Sequence, residues 1–196
     1  IAADPSPDNE AEFEALADVS RTFAEDCAEA AGPAIDHYGT KNVARDLDQI
    51  RQAVGDEKLT YLGYSYGTVI GQVYAELFPG NIRAMVLDGA VDLSLPTDDL
   101  TITQAEGFER ALDNFLDDCR SRDCRLAENG DPADAIAELL ARVEEAPIPA
   151  PDADRPAGPG ETMLGILTPL YNQASWRLLE INVARALDGN GSGLVQ

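Results

Sequence analysis

The stretch Leu59-Thr60-Tyr61-Leu62-Gly63-Tyr64-Ser65-Tyr66-Gly67-Thr68-Val69-Ile70 decides the fold of this chain. Its first four residues are mostly apolar and are followed at once by a glycine, leaving room for a strand but not for a helix. From Tyr66 the period turns helical, with Val69, Ile70, Val73, Tyr74 and Leu77 on one side, until Pro79-Gly80 stops it. Ala84-Met85-Val86-Leu87 is a second short apolar strand, closed by Asp88-Gly89. Upstream, Val43, Leu47, Ile50 and Val54 form one apolar stripe, with Thr40 or Asn42 placed to cap that helix and Gly55 to end it. The order helix, strand, tight turn, helix, strand over residues 42–89 predicts parallel crossovers, a slice of a doubly wound α/β sheet. Such short apolar strands are the kind buried on both faces. Gly67 and Gly71, four apart, would let the second helix approach the sheet closely.

Working outward, residues 10–30 place Phe13, Leu16, Val19 and Phe23 at helical spacing. Beyond Leu95 no comparable strand appears. Phe108, Leu112, Phe115 and Leu116 mark one helix, and Ile136, Leu139, Leu140 and Val143 another. A Pro/Ala/Asp/Gly-rich connector runs from Ala146 to Gly160, and a short helix over Met163–Thr168 is expected to break at Pro169. Trp176, Leu179, Val183 and Leu187 resume the pattern, and Gly189, Gly191 and Gly193 end it. A helical block after a sheet strand predicts a cap, giving a partial core over residues 1–95 and an incomplete cap region over 96–196.

The net charge is −22, with 14 Lys+Arg against 36 Asp+Glu, in a chain of 196 residues. Such a surface repels phosphate backbones and anionic lipid, which argues against nucleic-acid or membrane-surface binding. No apolar run approaches the roughly 18 residues that span a bilayer, and no leader sequence is visible. Cys119 and Cys124 stand close enough between two helical patterns for one tight turn to join them, which leaves Cys27 without a partner in the chain. The alternative is three reduced thiols. One histidine and three scattered cysteines give no metal-ligand spacing, so no metal or cofactor is expected.

A Gly-x-Ser-x-Gly match alone is weak, but here the serine ends a strand and opens a helix. That turn is sharp, so Gly63 and Gly67 meet its need for small flanking residues. It lifts the Ser65 hydroxyl out of the sheet and aims the Tyr66 N–H at the place where a tetrahedral oxyanion would form. Ser65 is therefore the candidate nucleophile, against a merely structural turn. A serine needs a base, and in α/β-hydrolases the acid and then the histidine follow it in the chain. No histidine follows Ser65; His37 precedes it and is expected to be structural. Asp88 and Asp92 are expected to cap the turn after Leu87 rather than to serve as the triad acid. The expectation is a chain holding the middle of such an enzyme, without the upstream oxyanion loop and the downstream Asp and His.

Asn42-Val43-Ala44-Arg45-Asp46-Leu47-Asp48, Tyr61-Leu62-Gly63-Tyr64-Ser65-Tyr66-Gly67-Thr68, Tyr74-Ala75-Glu76-Leu77-Phe78-Pro79 and Val86-Leu87-Asp88-Gly89 resemble the tripeptidyl aminopeptidase family of α/β-hydrolases. The match is most specific over residues 38–95 and looser through the cap, at Leu170-Tyr171, Trp176 and Asp188–Gly191. These are secreted or lipid-anchored enzymes related to proline iminopeptidases and to mycobacterial hydrolases called carboxylesterases. The resemblance implies an exported serine exopeptidase that releases short peptides from N-termini through an acyl-enzyme, with oxidised cysteines and Cys27 paired outside this chain. Only Ser65 and the Tyr66 N–H carry over as catalytic groups. The rival readings are an esterase acting on small esters with the same fold, and a non-catalytic relative that binds peptides.

Overall fold

The computed structural model describes residues 4–128 and 130–195. The chain divides into a sheet unit, residues 25–103, and a helical unit, residues 1–24 and 104–196.

In the sheet unit, β1 (Leu59–Tyr64) and β2 (Ile82–Asp88) pair in parallel around the crossover helix α3 (Tyr66–Leu77), and α2 (Thr40–Ala53) precedes them. The register runs from Thr60↔Ala84 to Tyr64↔Asp88, with a bulge between Leu59 and Thr60. Leu59, Ala44 and Tyr74 form the buried centre, flanked by Leu47, Tyr61, Val73, Ile82 and Met85. Gly55 (φ 81°) lies in the left-handed region just past α2. Its N–H reaches Gln52 O and the Asp56 N–H reaches Arg51 O, so the last carbonyls of α2 are satisfied by a Schellman turn.

Two expectations change here. The apolar stripe of α2 is not its buried face: Ile50 is 57% and Val54 66% exposed, while Ala44 and Asp48 are buried. Neither Thr40 nor Asn42 caps α2. The N-cap is Gly39, the Thr40 hydroxyl is bonded to the Tyr66 hydroxyl, and the Asn42 side chain accepts from Arg45. In this chain Leu62 and Val86, paired in register, are 56% and 59% exposed on one face of the strands; the two-face burial expected of such strands is that of the complete sheet.

What holds the inner face of α2 is a buried carboxylate. Asp48 Oδ1 accepts from Arg51 Nε (2.8 Å), Tyr74 OH (2.9 Å) and Asn81 Nδ2 (3.0 Å), and Oδ2 accepts from Gln52 Nε2 (2.8 Å). The same arginine donates to the Asp56 and Glu57 carbonyls before β1. One side chain thus ties α2, α3 and the turn before β2.

α1 (Glu10–Ala31) forms as the spacing predicts, but none of its residues is buried. The helical unit is built from α4 (Thr97–Ser121, from residue 104 onward), α5 (Pro132–Glu145), α6 (Pro159–Leu170) and α7 (Trp176–Leu187). Its core joins Phe115, Leu116, Leu126, Ile136, Leu139, Val143, Ile166, Leu170, Leu179, Val183 and Leu194. Trp176 packs edge-on against Phe115 with ring centroids 6.1 Å apart. Cys119 and Cys124 are disulfide-bonded, with Cα atoms 4.9 Å apart. Cys27 is free and exposed. Within this unit α6 starts at Pro159 rather than at Met163, and it ends at Leu170, one residue past Pro169. The Pro169 ring removes the N–H bond to Gly165 and crowds that carbonyl, and the helix goes no further than Leu170. The connector before α6 is tied by an antiparallel bridge between Ile148 and Ala157.

Candidate active site

Ser65 stands between the last residue of β1 and the first of α3, as the N-cap of that helix, and is exposed. Its backbone has φ 50° and ψ −121°. An L-residue with positive φ outside a turn glycine is strained and persists only where its surroundings hold it. Here the Ser65 N–H donates to Asp88 O (3.1 Å), and the Ser65 carbonyl accepts from the Thr68 N–H (2.9 Å). Strand pairing places Asp88 directly beside Tyr64, so the end of β2 supports the turn at the end of β1.

The glycines divide unequally. A Cβ on Gly63 would lie 2.6 Å from the Gly67 carbonyl oxygen, so any side chain there would push the turn open. A Cβ on Gly67 would meet only Tyr61 OH at 3.5 Å, an ordinary contact. The close approach of α3 to the sheet falls instead at Gly71, where a Cβ would lie 2.7 Å from Leu87 Cδ2 and 2.9 Å from Tyr61 Cε1. Tyr61 fills the space beneath the elbow and donates its hydroxyl to Gly67 O (2.7 Å). Burial pushes the Tyr61 phenol above its ordinary pKa, which keeps it a donor.

Tyr66 is the first residue of α3, so its N–H has no acceptor within the helix. The residue is 59% exposed, and its hydroxyl meets that of Thr40 at the start of α2. His37 ends a 3-10 turn and is exposed. Asp92 Oδ1 accepts from Ser94 N (2.9 Å) and Ser94 Oγ (2.7 Å), and the Ser94 hydroxyl holds its carboxyl below the usual range. It is a turn residue, as expected; Asp88 takes part through its backbone carbonyl.

Sequence reasoning missed Asp48 and Thr68 as polar anchors. Asp48 occupies an inward helical position, buried one turn after Ala44, which apolar spacing does not reveal. Thr68 is completely buried; its signal was a threonine directly after the second glycine of the turn.

Residues 19–129 match the family model described as alpha/beta hydrolase fold. The chain belongs to the alpha/beta hydrolase fold family. Among curated relatives of this hydrolase-fold chain, serine protease Hip1 of Mycobacterium tuberculosis is 41% identical over 171 residues, covering 81% of the chain and 32% of the relative. Tripeptidyl aminopeptidase of Streptomyces lividans is 50% identical over 92 residues, covering 47% of the chain and 17% of the relative. Carboxylesterase B of M. tuberculosis is 35% identical over 179 residues, covering 89% and 34%. The hydrolase-fold chain thus spans about a third of the length of the Hip1 and carboxylesterase relatives it matches. The tripeptidyl aminopeptidase resemblance drawn from the sequence motifs is borne out. Among the described residues, no helix is long and apolar enough to cross a membrane.

Proposed function

We propose that the protein is a serine hydrolase, an exported exopeptidase that removes short peptides from N-termini, with Ser65 as its nucleophile. The observation that carries the reading is the strained, exposed Ser65 at the strand-to-helix turn, together with relatives named serine protease and tripeptidyl aminopeptidase. Ser65 Oγ bonds to the scissile carbonyl carbon and its proton passes to a histidine base. The oxyanion is held by the Tyr66 N–H, and the base then protonates the leaving amine. Water hydrolyses the acyl-enzyme by the reverse transfers. The histidine of this proposal lies outside the chain, because in this fold it follows the serine and no histidine follows Ser65; the proposal places the acid there with it. The role of residues 96–196 as a cap that limits substrate length belongs to the same proposal, as does export, which the Cys119–Cys124 bond supports.

A second reading, an esterase on the same site, is favoured by the carboxylesterase relative that covers 89% of the chain. The test uses the protein as its gene encodes it. A fluorophosphonate probe is expected to label Ser65, and Ser65→Ala is expected to lose both labelling and turnover. Labelling that persists in Ser65→Ala would overturn the assignment. Relative kcat/KM on a tripeptide anilide and on a short acyl ester separates peptidase from esterase.

A further inference from the structure

We propose that Thr68 is a positioning residue that aims the oxyanion-binding N–H. The proposal rests on the reading of Ser65 as nucleophile and of the Tyr66 N–H as oxyanion donor. The Ser65 carbonyl and the Tyr66 N–H belong to one planar peptide unit, in which they point in opposite directions. Among the described residues no peptide bond is cis, so this opposition holds here. Whatever fixes the direction of Ser65 O therefore fixes the direction of the Tyr66 N–H.

Thr68 fixes that oxygen twice. Its N–H donates to Ser65 O at 2.9 Å and its hydroxyl donates to the same oxygen at 2.7 Å, which occupies both lone pairs of the carbonyl. The hydroxyl oxygen in turn accepts the Val91 N–H at 3.0 Å, and Gln72 Nε2 holds Val91 O at 2.9 Å. The result is a chain of bonds from the loop after β2, through one hydroxyl, to the strained residue; each bond polarises the next. Thr68 has no exposed surface, so water cannot substitute for its hydroxyl. Valine has nearly the same shape. A requirement for packing alone would be met by valine, whereas a requirement for the hydroxyl would not.

The experiment compares Thr68→Val and Thr68→Ser with the wild type in the protein as encoded, reading kcat, KM, the rate constant for fluorophosphonate labelling and the melting temperature. Removing an oxyanion donor outright costs roughly 100- to 1000-fold in kcat. Misaiming one is expected to cost about 10- to 100-fold in Thr68→Val, in kcat and labelling alike, with KM within about threefold of wild type. Thr68→Ser, which keeps the hydroxyl, is expected to restore both rates to within about threefold. Should Thr68→Val fail to fold, Thr68→Cys, of similar size but a poor donor, carries the same expectation. Wild-type rates in the valine or cysteine variant would overturn the role of Thr68 and leave Ser65 standing. A serine variant as slow as the valine one, or a rise in KM in step with the fall in kcat, would overturn it in favour of a packing role. A wild-type protein unlabelled at Ser65 would instead defeat the underlying reading, and this proposal with it.

Discussion

The two units of the chain are held together by different physics. The helical unit closes over a continuous apolar core with Phe115, Leu139, Leu179 and Val183 at its centre. The sheet unit has only Ala44, Leu59 and Tyr74 in its buried cluster, and one face of its two strands is uncovered. Its cohesion depends on hydrogen bonds, those of Asp48 between elements and those of Thr68 at the turn. Burial is non-directional and tolerates adjustment. Hydrogen bonds fail with small changes of angle. The unit that carries the strained serine is therefore the one whose geometry is fixed bond by bond.

This contrast can be broken by substitution, and the largest effect is expected at Asp48. The Arg51 guanidinium, aided by Tyr74, Asn81 and Gln52 and opposed by burial, holds the Asp48 carboxyl well below its usual range. A depressed carboxyl contributes stability that is present above its unfolded value and is lost as pH falls through its folded one. The wild type should thus lose stability as pH drops below about 4. Asp48→Asn should lower the melting temperature at neutral pH more than any single core truncation of the helical unit, and should flatten the acid limb. Thermal unfolding followed across pH checks both, and an Asn variant as stable as wild type would remove the contrast.

A smaller effect is expected from Leu139→Ala in the helical unit. Leu139 is fully buried, and deleting such a side chain costs about 2–5 kcal/mol depending on how far the cavity collapses. Urea unfolding read by tryptophan fluorescence measures it. Smaller still is the staple. Reducing Cys119–Cys124 frees a short loop, and the chain-entropy account gives about 2 kcal/mol for so small a ring. Peptide mapping without reductant, alongside unfolding with and without it, checks the bond and its worth.

Much of this was legible in the sequence. The strand-turn-helix around Ser65 follows from an apolar run cut off by Gly63 and a change of period at Tyr66, because both depend on local spacing. The parallel partner Ala84–Leu87 was equally plain, whereas the spacing of Cys119 and Cys124 allowed a bond and left reduced thiols open, because spacing alone does not report redox state. The orientation of α2 was not, since its most apolar stripe is exposed and a charged residue turns inward. That choice is made by donors far along the chain, Tyr74 and Asn81, which no local pattern reveals. The start of α6 was not legible, because Pro159 opens the helix at the end of a Pro/Gly-rich stretch that has no helical pattern, while its end falls one residue past Pro169. The role of Thr68 needed the actual direction of one carbonyl.

The packing of Trp176 on Phe115 has a spectroscopic consequence. It is the only tryptophan in the chain, and it belongs to the helical unit. Tyr61, Tyr64, Tyr66 and Tyr74 all belong to the sheet unit. Selective excitation of the indole therefore sees one half of the molecule, while emission from phenols is dominated by the half that contains the serine turn. The wild-type chain carries two built-in colours, one for each half, and whether they fade together or apart during unfolding can be observed without attaching any dye.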